Sequence, residues 1–183
     1  MSHHEIESSI NAVKRGNSDA FENIVEMYQR PLYKYIRYIV YNQWDADDIL
    51  QDVFIKIFTN IHQYRSNSNF EGWLYKIAYN HTMSVLRKKA KEPFVLVERL
   101  PDVAYIDEYK IEMSSEMTTT LSQLNPDERA ILFLRVHEEL PYKDISKIMK
   151  NSESLLRKKY ERAKKKFVKI YKEVLQDENR NIQ

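Results

Sequence analysis

An all-α protein of two helical domains joined by an irregular acidic linker is what this sequence predicts, and three observations predict it. Its 183 residues include only two glycines and five prolines, so helix formers dominate and breakers are few. Apolar residues recur with a period near 3.6 almost throughout. Between Glu92 and Met117 that pattern dissolves into a stretch with two prolines and seven acids against two bases, which reads as a linker. The expected division is a first domain over 1–91, a linker over 92–116, a helix-turn-helix domain over 117–175 and a disordered tail over 176–183. A chain of this length can form one large or two small domains and is long enough for at least one real core.

Composition removes several function classes. Cysteine is absent, which excludes disulfides, thiolate zinc sites and cysteine nucleophiles. His3, His4, His62, His81 and His137 have no mutual ligand spacing, so no metal site is expected. Neither a phosphate-cradling glycine loop nor a Ser-His-Asp grouping occurs, and no cofactor or enzymatic activity is expected. No apolar run reaches bilayer length, and MSHHEIESSI lacks the basic-then-apolar order of a secretion signal, so the expected location is cytoplasmic. A net charge of +2 conceals strong segregation: between Leu155 and Lys172 nine Lys or Arg stand against Glu161 alone, a balance suited to a polyanion.

In chain order, Glu5 to Arg15 forms an amphipathic helix with Ile6, Ile10 and Val13 inward, closed by Gly16. Ser18 is expected to cap a second helix through Phe21, Ile24, Val25 and Tyr28, bent or interrupted at Pro31 and resuming through Leu32, Tyr35, Ile36, Ile39 and Val40. Its tyrosines read as half-buried surface. Asp45 is the expected N-cap of a third helix, whose stripe Ile49, Leu50, Val53, Phe54, Ile57, Phe58 and Ile61 should be buried. Asp45, Asp48, Gln51 and Asp52 stay outside, where complementing the helix dipole outweighs a Mg²⁺ site and protein docking remains open.

The loop Tyr64 to Asn69 enters a fourth helix from Phe70 to Lys91, with Ser68 and Glu71 as the expected capping box. Phe70, Trp73, Leu74, Ile77, Ala78 and Val85 form its packing face. Lys76, Tyr79, Asn80, Met83, Arg87 and Lys88 lie largely opposite, where aromatics can stack on bases and cations can neutralise phosphates. From this helix alone, nucleic-acid contact and an ordinary solvated face are both open.

Beyond the linker, Met117, Leu121 and Leu124 mark a helix ending before Asn125-Pro126, a cap followed by proline at the first helical position. Ala130 to Glu139 follow, broken at Leu140-Pro141-Tyr142. Ile145, Ile148 and Met149 make a short helix, Lys150-Asn151-Ser152 a tight turn, and Leu156, Tyr160, Ala163, Phe167 and Ile170 the apolar face of a long basic helix. That order is the helix-turn-helix arrangement, in which the second helix enters the major groove. Asn151 or Ser152 can cap it. Base reading falls to Ser154, Leu155, Arg157 and Lys158, with the later cations, including Lys159, Arg162 and Lys165, on phosphates.

AFENIVEMYQRPLYKYI, DADDILQDVFIKIF and FEGWLYKIAYNHTMSVLRKK, followed by LSQLNPDERAILFLRVHEELPYKDISKIMKNSESLLRKKYERAKKKF, resemble the extracytoplasmic-function group of bacterial RNA polymerase sigma factors in order and spacing. The resemblance covers roughly Ser18 to Lys91 and Thr120 to Lys169. It implies a promoter-specificity subunit that acts with core RNA polymerase on promoter DNA, with no enzymatic activity, metal or cofactor of its own. Asp48, Gln51 and Asp52, with Asp45 beside them, match the face that docks on the β′ clamp helices. Tyr64, Arg65, Ser66, Asn67, Ser68 and Asn69 match the loop that captures a flipped base of the minus-ten element. Lys76, Tyr79, Asn80, Met83, Arg87 and Lys88 would contact the separating strands, with Trp73 packing. The second domain would engage the β flap and read the minus-thirty-five element through Ser152, Ser154, Leu155, Arg157, Lys158, Lys159, Arg162 and Lys165. The acidic linker would pass through the active-site channel. An anti-sigma partner is also implied, holding the protein at the membrane without direct insertion.

The sequence departs from the family at Tyr79, where Arg is common, and at Ser84, where an acid is common. Lys150 stands for the usual turn glycine, and Ser154-Leu155-Leu156-Arg157 stands for Gly-Thr-Val-Lys, which implies an altered minus-thirty-five preference or a weaker dependence on that element. The competing readings are a stand-alone helix-turn-helix regulator and a helical adaptor that binds acidic partners.

Overall fold

The computed structural model describes residues 3–65, 68–91 and 113–181, so Ser66, Asn67 and the linker from 92 to 112 lie outside the described residues. Eight α-helices are described: α1 (His3–Lys14), α2 (Phe21–Val40), α3 (Gln43–Asn60), α4 (Phe70–Lys89), α5 (Ser115–Ser122), α6 (Pro126–Leu132), α7 (Tyr142–Met149) and α8 (Glu153–Asn181). No strand occurs among the described residues. The fold class is all-α, as the apolar period requires.

Several helix starts differ from expectation by a few residues. Ser18 opens a 3-10 turn that Asn17 caps, and α2 begins only at Phe21. Asn42, not Asp45, caps α3, accepting from the Asp45 amide at 3.4 Å. Asn69 caps α4 by accepting from Gly72 N at 2.8 Å, while the Ser68 hydroxyl turns back to donate to the Arg65 carbonyl at 2.7 Å. A cap needs extended backbone, and Asn42 and Asn69 have it at ψ 129° and 97°. Asn125 and Glu128 do form a capping box ahead of Pro126.

Pro31 sits inside an unbroken α2. It removes one backbone donor, but Tyr28, Leu32, Tyr33, Tyr35 and Ile36 around it are all buried, and that burial holds the helix together. At the other end of the chain, α8 continues through Asn181, so residues 176–181 are helical rather than a disordered tail.

The packing across blocks was not foreseen. Ile10, Ile24, Leu32, Ile36, Ile57 and Leu74 belong to the same contiguous core as Ile131, Phe133, Leu134, Ile148 and Leu156. α6 lies against α2, and α7 lies against α4. Between α6 and the break at Pro141 the chain makes a π-helical turn, Phe133–His137. It seats Phe133, only 2% exposed, with its ring 5.4 Å from Tyr35 and 5.1 Å from Tyr38 of α2. A smaller cluster of Leu121, Leu124 and Ile170 ties α5 to α8.

Candidate polymerase and nucleic-acid interfaces

α3 presents Asp48, Gln51 and Asp52 to solvent on one face, while Asp45 is half-buried. Ile55 extends that face at 61% exposure and Phe58 borders it at 41%. Phe58 therefore leaves the expected buried stripe: its ring edge meets Phe21 at 5.1 Å and the rest is open. Ile55 escaped sequence reasoning, although it stands four residues after Gln51 and three after Asp52 and so shares their side of the helix.

Two contacts tie α3 to α4. Asp52 Oδ2 lies 3.0 Å from His81 Nε2, and Lys89 at the end of α4 pairs with Asp45. The acidic face and the basic end of α4 are thus held in one frame. Where the chain turns between them, Tyr64 is an anchor only 2% exposed, with its ring against Phe70 and Trp73. Its hydroxyl is shared between Glu7 Oε1 at 2.6 Å and the Ser68 carbonyl at 2.7 Å. The Lys14 ammonium donates to the Tyr64 carbonyl at 2.6 Å. Burial and the neighbouring Glu7 push the Tyr64 phenol up to about 12. From this stem Arg65, Ser68 and Asn69 project into solvent. Trp73 packs, stacked on Phe70 at 5.7 Å.

Along α4, Asn80, Arg87 and Lys88 are exposed and Lys76 and Met83 half-buried. Tyr79 differs from its neighbours. It is 9% exposed and donates from its hydroxyl to Asp127 Oδ1 of α6 at 2.8 Å, and burial together with that carboxylate raises its pKa. In the second block Ser152, Ser154, Leu155, Arg157, Lys158, Arg162 and Lys165 are all exposed along the start and outer face of α8. The Ser152 hydroxyl lies 3.4 Å from the Leu155 amide, at the start of that helix. Arg157 lies over the Tyr142 ring at 4.7 Å, which fixes one cation near the start of α8. Lys159 and Lys166 pair instead with acids of α6, Asp127 at 3.2 Å and Glu128 at 3.0 Å. Among the described residues no cluster of His, Asp and Glu is placed to hold a metal, and no helix is long and apolar enough to cross a membrane.

Comparison with known proteins gives these surfaces a context. The family model described as sigma-70 region 2 matches residues 24–92, and the one described as sigma-70, region 4 matches residues 114–167. The chain is 31% identical over 155 residues to the ECF RNA polymerase sigma-E factor of Haemophilus influenzae, covering 76% of this chain and 81% of that protein. It is 29% identical over 161 residues to the ECF RNA polymerase sigma factor SigW of Bacillus subtilis, covering 79% and 84%. The solved sigma factor RpoE of Bartonella quintana, in complex with the anti-sigma factor NepR, matches with a TM-score of 0.67 at 19% identity over 83% of this chain and 96% of that one, a likeness of fold. With both sigma regions matched in order and 31% identity over 76% of the chain to such a relative, the chain belongs to the extracytoplasmic-function group of RNA polymerase sigma factors.

Proposed function

We propose that this sigma factor directs core RNA polymerase to its promoters through three surfaces of its own chain. The exposed face of α3, Asp48, Gln51, Asp52 and the apolar Ile55, docks on the polymerase. The rim Arg65 to Asn69 and the outer face of α4 take the minus-ten strand. The start of α8, from Ser152 to Lys158, reads duplex DNA upstream. A single observation carries the reading: Asp52 on His81 and Asp45 on Lys89 pin the docking face to the strand-facing helix. A polymerase held on α3 therefore receives α4 in a fixed register, which a stand-alone regulator would not need.

The chemistry required is binding and strand separation. Unstacking a base costs a few kcal/mol, and an aromatic-lined pocket with nearby cations can offset it. The protein then works where the polymerase is, in the cytoplasm, with a regulatory partner of the anti-sigma class, as in the solved relatives. The division into 1–91, linker and 117–175 accompanies this reading, the linker passing through the polymerase channel. Run-off transcription with purified core enzyme on genomic promoter fragments tests it. Addition of the protein should create new start sites, and transcription indifferent to it would reject the function.

A further inference from the structure

Two determinants assigned to DNA contact, Tyr79 and Lys159, are spent inside the molecule. Asp127, in the first turn of α6, accepts from the Tyr79 hydroxyl of α4 through one oxygen at 2.8 Å and from the Lys159 ammonium of α8 through the other at 3.2 Å. One residue further on, Glu128 holds Lys166 at 3.0 Å. α7 covers part of α4, burial and the nearby Glu138 carboxylate of the second block raise the Tyr75 pKa, and the Arg129 guanidinium lies 4.7 Å over the Tyr41 ring. A strand-facing tyrosine and a phosphate-facing lysine thus share one carboxylate, and neither can meet DNA while they do.

The interface around this carboxylate is poised. Tyr35 Oη is buried beside Tyr79 and Asp127 without a hydrogen-bond partner among the described residues, a desolvation cost of the closed arrangement that exposure to water would recover. Charge-assisted bonds to Asp127 offset that cost. Resting on the sigma-factor reading above, we infer that Asp127 is a latch: it holds the free protein in a closed state in which the second block masks the strand-facing helix and neutralises part of the recognition helix. Binding of DNA by the free protein is then weakened by the fraction of time spent closed.

The absence of cysteine makes the test direct, because two introduced cysteines can be labelled without background. Spin labels at Glu26→Cys on α2 and Lys164→Cys on α8, both exposed, report the separation of the blocks in the full chain. Asp127→Ala and Tyr79→Phe, which break the same bond from opposite ends, should each shift the distance distribution to a longer, broader population. A single unchanged distance in both variants would overturn the latch. The second arm measures anisotropy of a labelled random-sequence duplex of about 30 base pairs, since phosphate affinity is independent of sequence. Asp127→Ala should bind about tenfold more tightly than wild type, the shift expected when one charge-assisted latch is lost. Glu153→Ala removes an acid at the start of α8 whose ion pair is to Arg157 of the same helix, so it gauges the gain from losing one negative charge and releasing one cation with the latch intact. Equal gains for the two variants would overturn the masking. Both arms are independent of transcription, so a failure of run-off would strike the function and leave the latch standing.

Discussion

Lys150 joins α7 to α8 at φ 52° and ψ 43°, a left-handed conformation in which a Cβ crowds the following carbonyl. Lys150→Gly should therefore stabilise the protein by about 1 kcal/mol, partly offset by the freer unfolded chain, and move the urea midpoint up at unchanged slope. An unmoved midpoint would mean the lysine makes a compensating contact. Asn69 offers the opposite case: its side chain caps α4 and sits 3.1 Å from where a Cβ on Gly72 would be. Asn69→Ala should cost about 1 kcal/mol in the same measurement. Tyr64 gives a pH dependence. Its phenol is pushed from the ordinary 10 to about 12 in the fold, so the protonated form is favoured by folding. That stability is complete below pH 10 and is lost as pH climbs from 10 towards 12, and Tyr64→Phe should flatten the decline in urea midpoint across that window. At this scale the sequence was legible where one residue type admits one role, as with Gly16 at φ 97° and Asn125-Pro126. It was ambiguous where several capping residues crowd together, because Asn42 against Asp45 and Ser68 against Asn69 are decided by backbone angles.

Helices were legible from their period, and their inner faces nearly so. α8 buries Leu156, Ala163 and Ile170 as spaced, and α4 buries Phe70, Leu74 and Ala78. α3 is where the pattern misleads, since apolar residues occupy most of its circumference and periodicity alone cannot say which are core. The structure separates Val53 and Ile57, fully buried, from the exposed Ile55 and Phe58. An apolar patch beside Asp48 and Asp52 is the composition of a docking face, in which charge sets orientation and the apolar centre supplies affinity. Asp48→Arg should reduce capture of the protein by immobilised core polymerase at least tenfold while leaving random-duplex affinity within about twofold, because charge reversal at an interface costs several kcal/mol. Undiminished capture would remove α3 from the interface.

What no pattern in the chain revealed is how the whole molecule closes. Two blocks read as separate because an acidic stretch intervenes, yet Phe133 lies between Tyr35 and Tyr38, nearly a hundred residues earlier, and joins the two into one core. Contacts that distant leave no mark in local periodicity, since Phe133 would be apolar in either arrangement. The π-helical turn that aims it is equally silent in sequence. A shared core has a thermodynamic consequence: blocks that bury one another's side chains unfold together. The wild-type protein should melt in a single calorimetric transition, with calorimetric and van't Hoff enthalpies in agreement. Truncating a buried Phe typically costs about 3–5 kcal/mol, and here much of that loss falls on the junction rather than on either block's interior. Phe133→Ala should therefore lower the melting temperature and also split the transition, with α1 to α4 melting separately from α5 to α8. The split distinguishes a junction residue from an ordinary core residue: Ile57→Ala, fully buried among α1 to α4, should lower the melting temperature and leave one transition. If Phe133→Ala also melts in one transition, the remaining contacts of α7 with α4 suffice to couple the blocks, and the junction is broader than a single aromatic ring.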